Sequence, residues 1–312
     1  MNSWKNKSSM KGCDMTRANK MAADNGIVIF DRQRVRQNRN RARPEHNFLI
    51  DWAGKQIVDR LRDVTKNFPL ALQMGLRTPP EFAQNLAATG KIETLVGMDA
   101  AEKLLKPGTI CADEEFLPFR DQSLDLIMNV LSLHSTNDLP GALIQIRRAL
   151  KPDGLFLAAL FGGESLMELR QSLMQTEIEM KGGASPRVFP FADKPQMGSL
   201  MQRAGFALPV IDSEIVTVTY PDMFALLKDL RFMGEGNAIL KRDKTYPGRE
   251  FFAKAAEFYK NNFSDEDGRV RASFEVIFLI GWAPHASQQK PLSPGSAKTR
   301  LADALNTIET KL

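Results

Sequence analysis

Between residues 69 and 161, five short apolar runs are separated by helix-like segments, and none of the runs alternates polar with apolar positions. A strand that is apolar on both faces must be covered on both faces. This grammar therefore demands a parallel sheet with helices above and below it, an α/β, Rossmann-like architecture. The strands are expected at Leu70–Met74, Glu93–Met98, Thr109–Ala112, Leu124–Asn129 and Leu155–Phe161. Helices are expected over Pro80–Ala88, from Asp99 to Leu105, and from Asn137 to about Leu150, the last capped by Asn137 or Asp138 with Pro140 in its first turn. Lys151-Pro-Asp-Gly154 is expected to end that helix sharply, before the fifth strand.

Beyond Gly162-Gly163 the pattern changes. A helix is expected over Glu164–Met180. A Gly/Pro-rich stretch, Lys181–Pro195, then forms either a lid-like loop or a simple connection, and a helix follows over Met197–Ala204. Ile211–Tyr220 alternates, as a strand with one solvated face does. Helices over Met223–Met233 and Arg249–Phe263 lead to a last apolar strand, Ser273–Trp282. The expected fold is a mostly parallel sheet closed at one edge by an antiparallel pair, with helices on both faces.

Charge is unevenly spread. Residues 1–47 hold 11 Lys/Arg against 4 Asp/Glu, a net of +7, while the rest holds 31 against 33, a net of −2, out of totals of 42 and 37. The body is near neutral and offers no basic nucleic-acid face. Residues 1–26 read as a disordered tail in which Met10, Met15 and Met21 are alternative starts. A mitochondrial targeting peptide would suit its basic, Ser-containing character, but Asp14 and Asp24 count against it.

Residues 27–66 form a basic arm and an amphipathic helix from Asn47 to Thr65. The arm's Arg32, Arg34, Arg36, Arg39, Arg41 and Arg43 suggest a phosphate-binding or partner-docking segment, or, more plainly, a solvated helix. The main domain spans 67–284, with insertions around 181–195 and 221–263, and 285–312 is a polar tail with a weak helix from Lys298. Cys13 and Cys111 make neither a disulfide framework nor a metal spacing. No run reaches the roughly 18 residues of a spanning helix.

In an open parallel sheet, ligands bind beyond the carboxyl ends of the strands. There, Asp99 can accept hydrogen bonds from a ribose diol. Asp113 and Glu114 can take an adenine amino proton, and Phe116 or Leu117 can pack on the base. Asn129 ends the fourth strand, and together these residues outline a nucleoside-shaped pocket. His134 lies at the same edge as a weak candidate base; a packing or capping histidine is an equal reading. His46 and His285 lie far from it in sequence, and no metal-ligand spacing is found.

The run ADEEFLPFRDQSLDLIMNVLSLHSTNDLPGALIQIRRALKPDGLFLAALFGG (112–163) resembles the class I S-adenosylmethionine-dependent methyltransferases. Within them it is similar to the mitochondrial complex I assembly factor family and its bacterial relatives. IFDRQRVRQ, NFPLAL, GGASPRVFPF, RAGFALPVID, YPDMFALLKDLRFMGEGNA and IGWAPH extend the likeness over about residues 27–290. The resemblance implies a seven-stranded sheet whose last two strands form the antiparallel edge. It also implies an S-adenosylmethionine site comprising Gln73, Gly75, Asp99, Asp113, Glu114, Phe116 and Asn129.

The family's loop reads like DLGCGxG; here Gln73 stands for its Asp, Gly75 for its first Gly, and Arg77 and Pro79 for the other two. The ribose and adenine positions match. The methionine-end cradle does not, because Arg and Pro restrict the backbone and Pro79 donates no N–H.

The function implied is methyltransferase-type or arginine-hydroxylating modification of a respiratory complex I subunit, in the bacterial cytoplasm or, second, the mitochondrial matrix. Two alternatives are a malonyl-acyl-carrier-protein O-methyltransferase of biotin synthesis and a catalytically inactive assembly chaperone. Neither a specific nucleic-acid partner nor a metal is expected.

Overall fold

A computed structural model describes residues 28–289, 296 and 301–304. The expected disordered tail, residues 1–26, and most of the polar tail, including Lys298, lie outside the described residues. The chain begins with α1 (Arg32–Arg39) and α2 (Phe48–Arg62), then β1 (Phe68–Met74), α3 (Pro80–Ala88), β2 (Ile92–Asp99) and β3 (Thr109–Cys111). It continues through β4 (Leu124–Val130), α4 (Leu139–Ala149), β5 (Leu150–Phe161), α5 (Met167–Lys181) and α6 (Lys194–Arg203). β6 (Ala207–Tyr220), α7 (Met223–Met233), α8 (Arg249–Phe263), β7 (Val270–Trp282) and the short α9 (Leu301–Ala304) complete it.

The seven strands run in the order β3-β2-β1-β4-β5-β7-β6, with β7 antiparallel to both of its neighbours and the other pairs parallel. The uniform apolar runs have the cause inferred for them. Leu126 and Met128 of β4 pack into a core with α2, α5 and α8, whereas Ile127 packs into a second core with α4 and α6. One strand thus feeds both layers. β6 pairs with β7 at the edge of the sheet, so its alternation records an edge strand with one face wet.

Helix α4 ends at Ala149, just before Lys151-Pro-Asp-Gly154 as expected, but the strand starts earlier than Leu155. β5 already begins at Leu150, which pairs with Leu124, and pairing resumes at Leu155 with Leu126, leaving the four turn residues as a bulge inside the strand. Asp153 takes the positive φ of 61° that the bulge needs. Lys151 is held to Asp125 at 2.8 Å and Asp153 to Lys66 at 2.6 Å, so side-chain pairing stabilises the detour.

The N-terminal arm is not a solvated appendage. Asp31 caps α1 by accepting from the Arg34 N–H, and the segment before it bridges to Ile239 through Phe30. Arg32, Val35 and Arg39 share one helix face and are buried, while Arg41 and Arg43 face solvent. No described helix is long and apolar enough to cross a membrane.

Candidate functional site

The carboxyl ends of β1, β2 and β4 meet at a turn led by Gly75. Its φ of +86°, and the 2.8 Å that would separate an added Cβ from the Val130 carbonyl, make glycine obligatory there. Gln73 lies beneath the turn and ties it together, its Nε2 donating to Gly75 O at 3.0 Å and to Thr78 Oγ1 at 2.8 Å. Pro79 and Pro80 start α3, where a missing N–H costs little.

Arg77 does not project into solvent. Its side chain, 3% exposed, runs into the space beside the turn. There its guanidinium donates to Met233 O (2.8 Å), Glu235 Oε1 (2.6 Å) and the Leu131 carbonyl. Glu235 also accepts from His134 Nε2 at 3.0 Å. Burial raises the Glu235 pKa, but the charges and hydrogen bonds of His134 and Arg77 lower it further, and the net shift is well below the usual carboxylate range. The carboxylate is thus an acceptor, which assigns the proton to His134 Nε2. Nδ1 is buried and has no hydrogen-bond partner among the described residues.

The second half of the rim is built from acids. Asp99 is fully buried: Oδ2 accepts from Leu76 N–H at 2.9 Å and Oδ1 from Ala101 N–H at 2.8 Å. Asp113 and Glu114, 5% and 1% exposed, converge on α1. Arg32 donates through Nη2 to Asp113 Oδ1 (2.6 Å) and to Glu114, and through Nη1 to Ser135 O (2.9 Å). Arg39 donates to Glu114 and to Ser132 O (2.8 Å), and its Nη1 lies 3.6 Å from Asp99 Oδ1. Burial raises the Glu114 pKa, but Arg39 and Arg32 outweigh it and hold it at about 2. Burial likewise lowers the Arg32 pKa, yet Asp113 and Glu114 raise it on balance.

The seat outlined in the sequence is therefore assembled from the expected acids, but it is filled by arginines rather than open. The expectation of a solvated or partner-docking arm is corrected for Arg32 and Arg39, which are internal ion-pair partners. Phe116 faces outward at 40% exposure rather than flooring a pocket, and among the described residues the buried Asn129 side chain bonds Ser132.

Beside this rim lies a cavity of about 210 Å³, walled by Phe161, Leu169, Phe189, Phe191, Leu230 and Phe274 among others, with Glu235 also lining it. The His134 ring packs against three of those walls, its centroid 4.9 Å from Phe161, 5.8 Å from Phe191 and 6.5 Å from Phe189. The 181–195 segment, expected as lid or linker, supplies Phe189 and Phe191 and is pinned by Arg187 to Glu177 at 2.6 Å. The sequence reading missed Glu235 and the pairing role of Arg32 and Arg39. For the arginines a signal existed: positions 32, 35 and 39 fall on one helix face, so the two share the side of Val35.

A family model described as a methyltransferase domain matches residues 79–158. The fold is similar to that of the YcgJ protein from Bacillus subtilis, with a TM-score of 0.51, 12% identity, and coverage of 74% of this chain and 99% of that one. The Homo sapiens arginine-hydroxylase NDUFAF5, mitochondrial, is 42% identical over 286 residues, 87% of this chain and 81% of that protein. The chain belongs to the NDUFAF5 family of complex I assembly factors. That family sits in the class I S-adenosylmethionine-dependent methyltransferase superfamily of enzymes. The malonyl-[acyl-carrier protein] O-methyltransferase of Methylovorus sp. is 31% identical over 307 residues, 91% of this chain and all of that protein, a weaker likeness at similar span.

The superfamily's cofactor can be tested against the residues. The residues expected from the sequence as its ribose and adenine partners, Asp99, Asp113 and Glu114, stand at the ends of β2 and β3, yet Arg32 and Arg39 engage all three. At the amino-acid end the Arg77 side chain fills the space beside the glycine turn. In this conformation the residues do not accommodate S-adenosylmethionine.

Proposed function

We propose that this chain modifies an arginine of a respiratory complex I subunit, as an enzyme on a methyltransferase fold. The observation that carries the reading is the sustained identity to a mitochondrial arginine-hydroxylase across most of both chains. The residues that this chain itself would contribute are His134, Glu235 and the aromatic cavity. Glu235 orients the imidazole, and His134 Nδ1, buried and without a partner among the described residues, lies beside the aromatic walls of the cavity, placed to take part in proton transfer. S-adenosylmethionine is the cofactor that family membership suggests, subject to the closed seat described above. The mitochondrial names of the relatives support the matrix as the address, in place of the bacterial cytoplasm expected first from the sequence.

Intact-mass analysis of complex I peripheral-arm subunits from a deletion strain tests the reading. The expected result is loss of a single-oxygen increment on one subunit. Unchanged masses would overturn it and leave a chaperone role. The full-length match to a malonyl-[acyl-carrier protein] O-methyltransferase supports a second reading, and biotin auxotrophy of the same strain would establish that one instead.

A further inference from the structure

Four carboxylates, Asp99, Asp113, Glu114 and Glu115, crowd the ends of β2 and β3, and the cations within salt-bridge distance of them there are Arg32 and Arg39 of a single eight-residue helix. Such a concentration of like charge is stable only while those arginines stay. The rest of α1's attachment lies outside the two main cores. Its apolar contacts belong to a small cluster of Phe30, Val35, Phe189, Ala238 and Ile239, separate from the two main cores. Its polar ties run partly to the stretch 232–240, where Asn38 Nδ2 donates to Gly236 O at 2.6 Å, Asp31 N–H to Ala238 O at 2.8 Å and Arg43 N–H to Phe232 O at 2.8 Å. They run partly to surface groups outside the cores, Arg36 to Glu102 at 3.1 Å, Lys103 N–H to Asn40 Oδ1 at 3.0 Å and the Ile29 and Phe30 N–H groups to Asn137 Oδ1. Gly234 lets the helix approach, because an added Cβ would lie 3.3 Å from Arg39 Cα. Detaching α1 would therefore uncover the acids without opening either main core.

We infer that α1 is an intramolecular competitor for a nucleoside seat: Arg32 and Arg39 occupy Asp99, Asp113 and Glu114, and an adenosyl ligand binds those carboxylates only when the helix is displaced. This rests on the family membership and not on which substrate is modified, so it can fail while the arginine-modification reading stands. A ribose diol and an adenine amino group are donors to the same oxygens that the guanidinium groups now engage, and the two occupancies exclude one another.

The test locks and unlocks the helix in the full chain. With Cys13→Ser and Cys111→Ser as background, Asn38→Cys and Gly236→Cys place a thiol pair where the Asn38 side chain already touches Gly236. S-adenosylhomocysteine is titrated by calorimetry into the oxidised and reduced forms, and into an Arg32→Met/Arg39→Met variant that keeps the apolar stems. The oxidised form is expected to show no binding and the reduced form to return to the wild-type level. The double methionine variant should bind at least roughly tenfold more tightly than wild type, the worth of about one charged hydrogen bond. Equal binding by oxidised and reduced protein would overturn the inference. So would a folded methionine variant that binds no better than wild type. If that variant does not fold, the comparison of oxidised with reduced protein decides alone, and absence of binding in both would count against a nucleoside seat.

Discussion

Removing Glu235 should cost more than its exposed position in sequence suggests. The Arg77 side chain is 1% exposed and that of Glu235 8%, so neither charge can fall back on water when the other is lost. Glu235→Ala leaves a buried guanidinium facing the carbonyls of Met233 and Leu131, and Arg77→Ala leaves a buried carboxylate with His134 alone. Breaking a buried pair from one side costs about 3–5 kcal/mol. The double variant loses both charges together, so it should recover about 2–3 kcal/mol of the summed single losses. Urea unfolding, followed by tryptophan fluorescence to which Trp52, its ring 5.9 Å from Phe278, contributes, reads the whole cycle. Each single substitution should lower the midpoint by about 1 M or more. Single losses that add to within about 0.5 kcal/mol would show that the carbonyls, not Glu235, hold Arg77, and the argument for a built triad would fail.

Three further outcomes follow from the same geometry. Gly75→Ala should destabilise the fold by more than about 1 kcal/mol, since it meets both a positive φ and the Val130 carbonyl; a neutral result in thermal unfolding would contradict the turn as described. Glu114 is held at about 2 in the folded chain against an ordinary 4.5, so its contribution is fully present above pH 4.5 and is lost as pH falls toward 2. Chemical denaturation along that range should show a drop on the order of 3 kcal/mol that Glu114→Gln removes, and an unchanged drop in the variant would refute the assignment. Leu227→Trp, at the lining of the aromatic cavity, should leave the thermal midpoint near wild type while abolishing the subunit mass increment in a complemented strain; a normal increment would take the chamber out of the chemistry.

Much of the fold was legible because burial on both faces of a parallel sheet writes uniform apolar runs, and a sheet edge writes alternation. β4, β5 and β6 each show this. The Lys151–Gly154 bulge was not legible, since turn residues look alike whether they end a strand or detour within it. Asp99, Asp113 and Glu114 were found from their strand-end positions, but what they bind was not, because α1 is about 60 or more residues away in sequence and a run of arginines looks solvated. Arg77 was readable as a departure from a glycine loop, and its destination, Glu235, was hidden because nothing in a lone Met-Gly-Glu segment announces a buried carboxylate.

The central physical claim is that three guanidinium groups, those of Arg32, Arg39 and Arg77, are locked inside the rim of the sheet. Nitrogen-15 NMR of arginine side chains in the full chain measures this directly. Slowly exchanging, widely dispersed guanidinium signals that vanish one by one in Arg32→Lys, Arg39→Lys and Arg77→Lys are the expected result. Signals for these three that exchange as fast as those of exposed arginines would contradict the account.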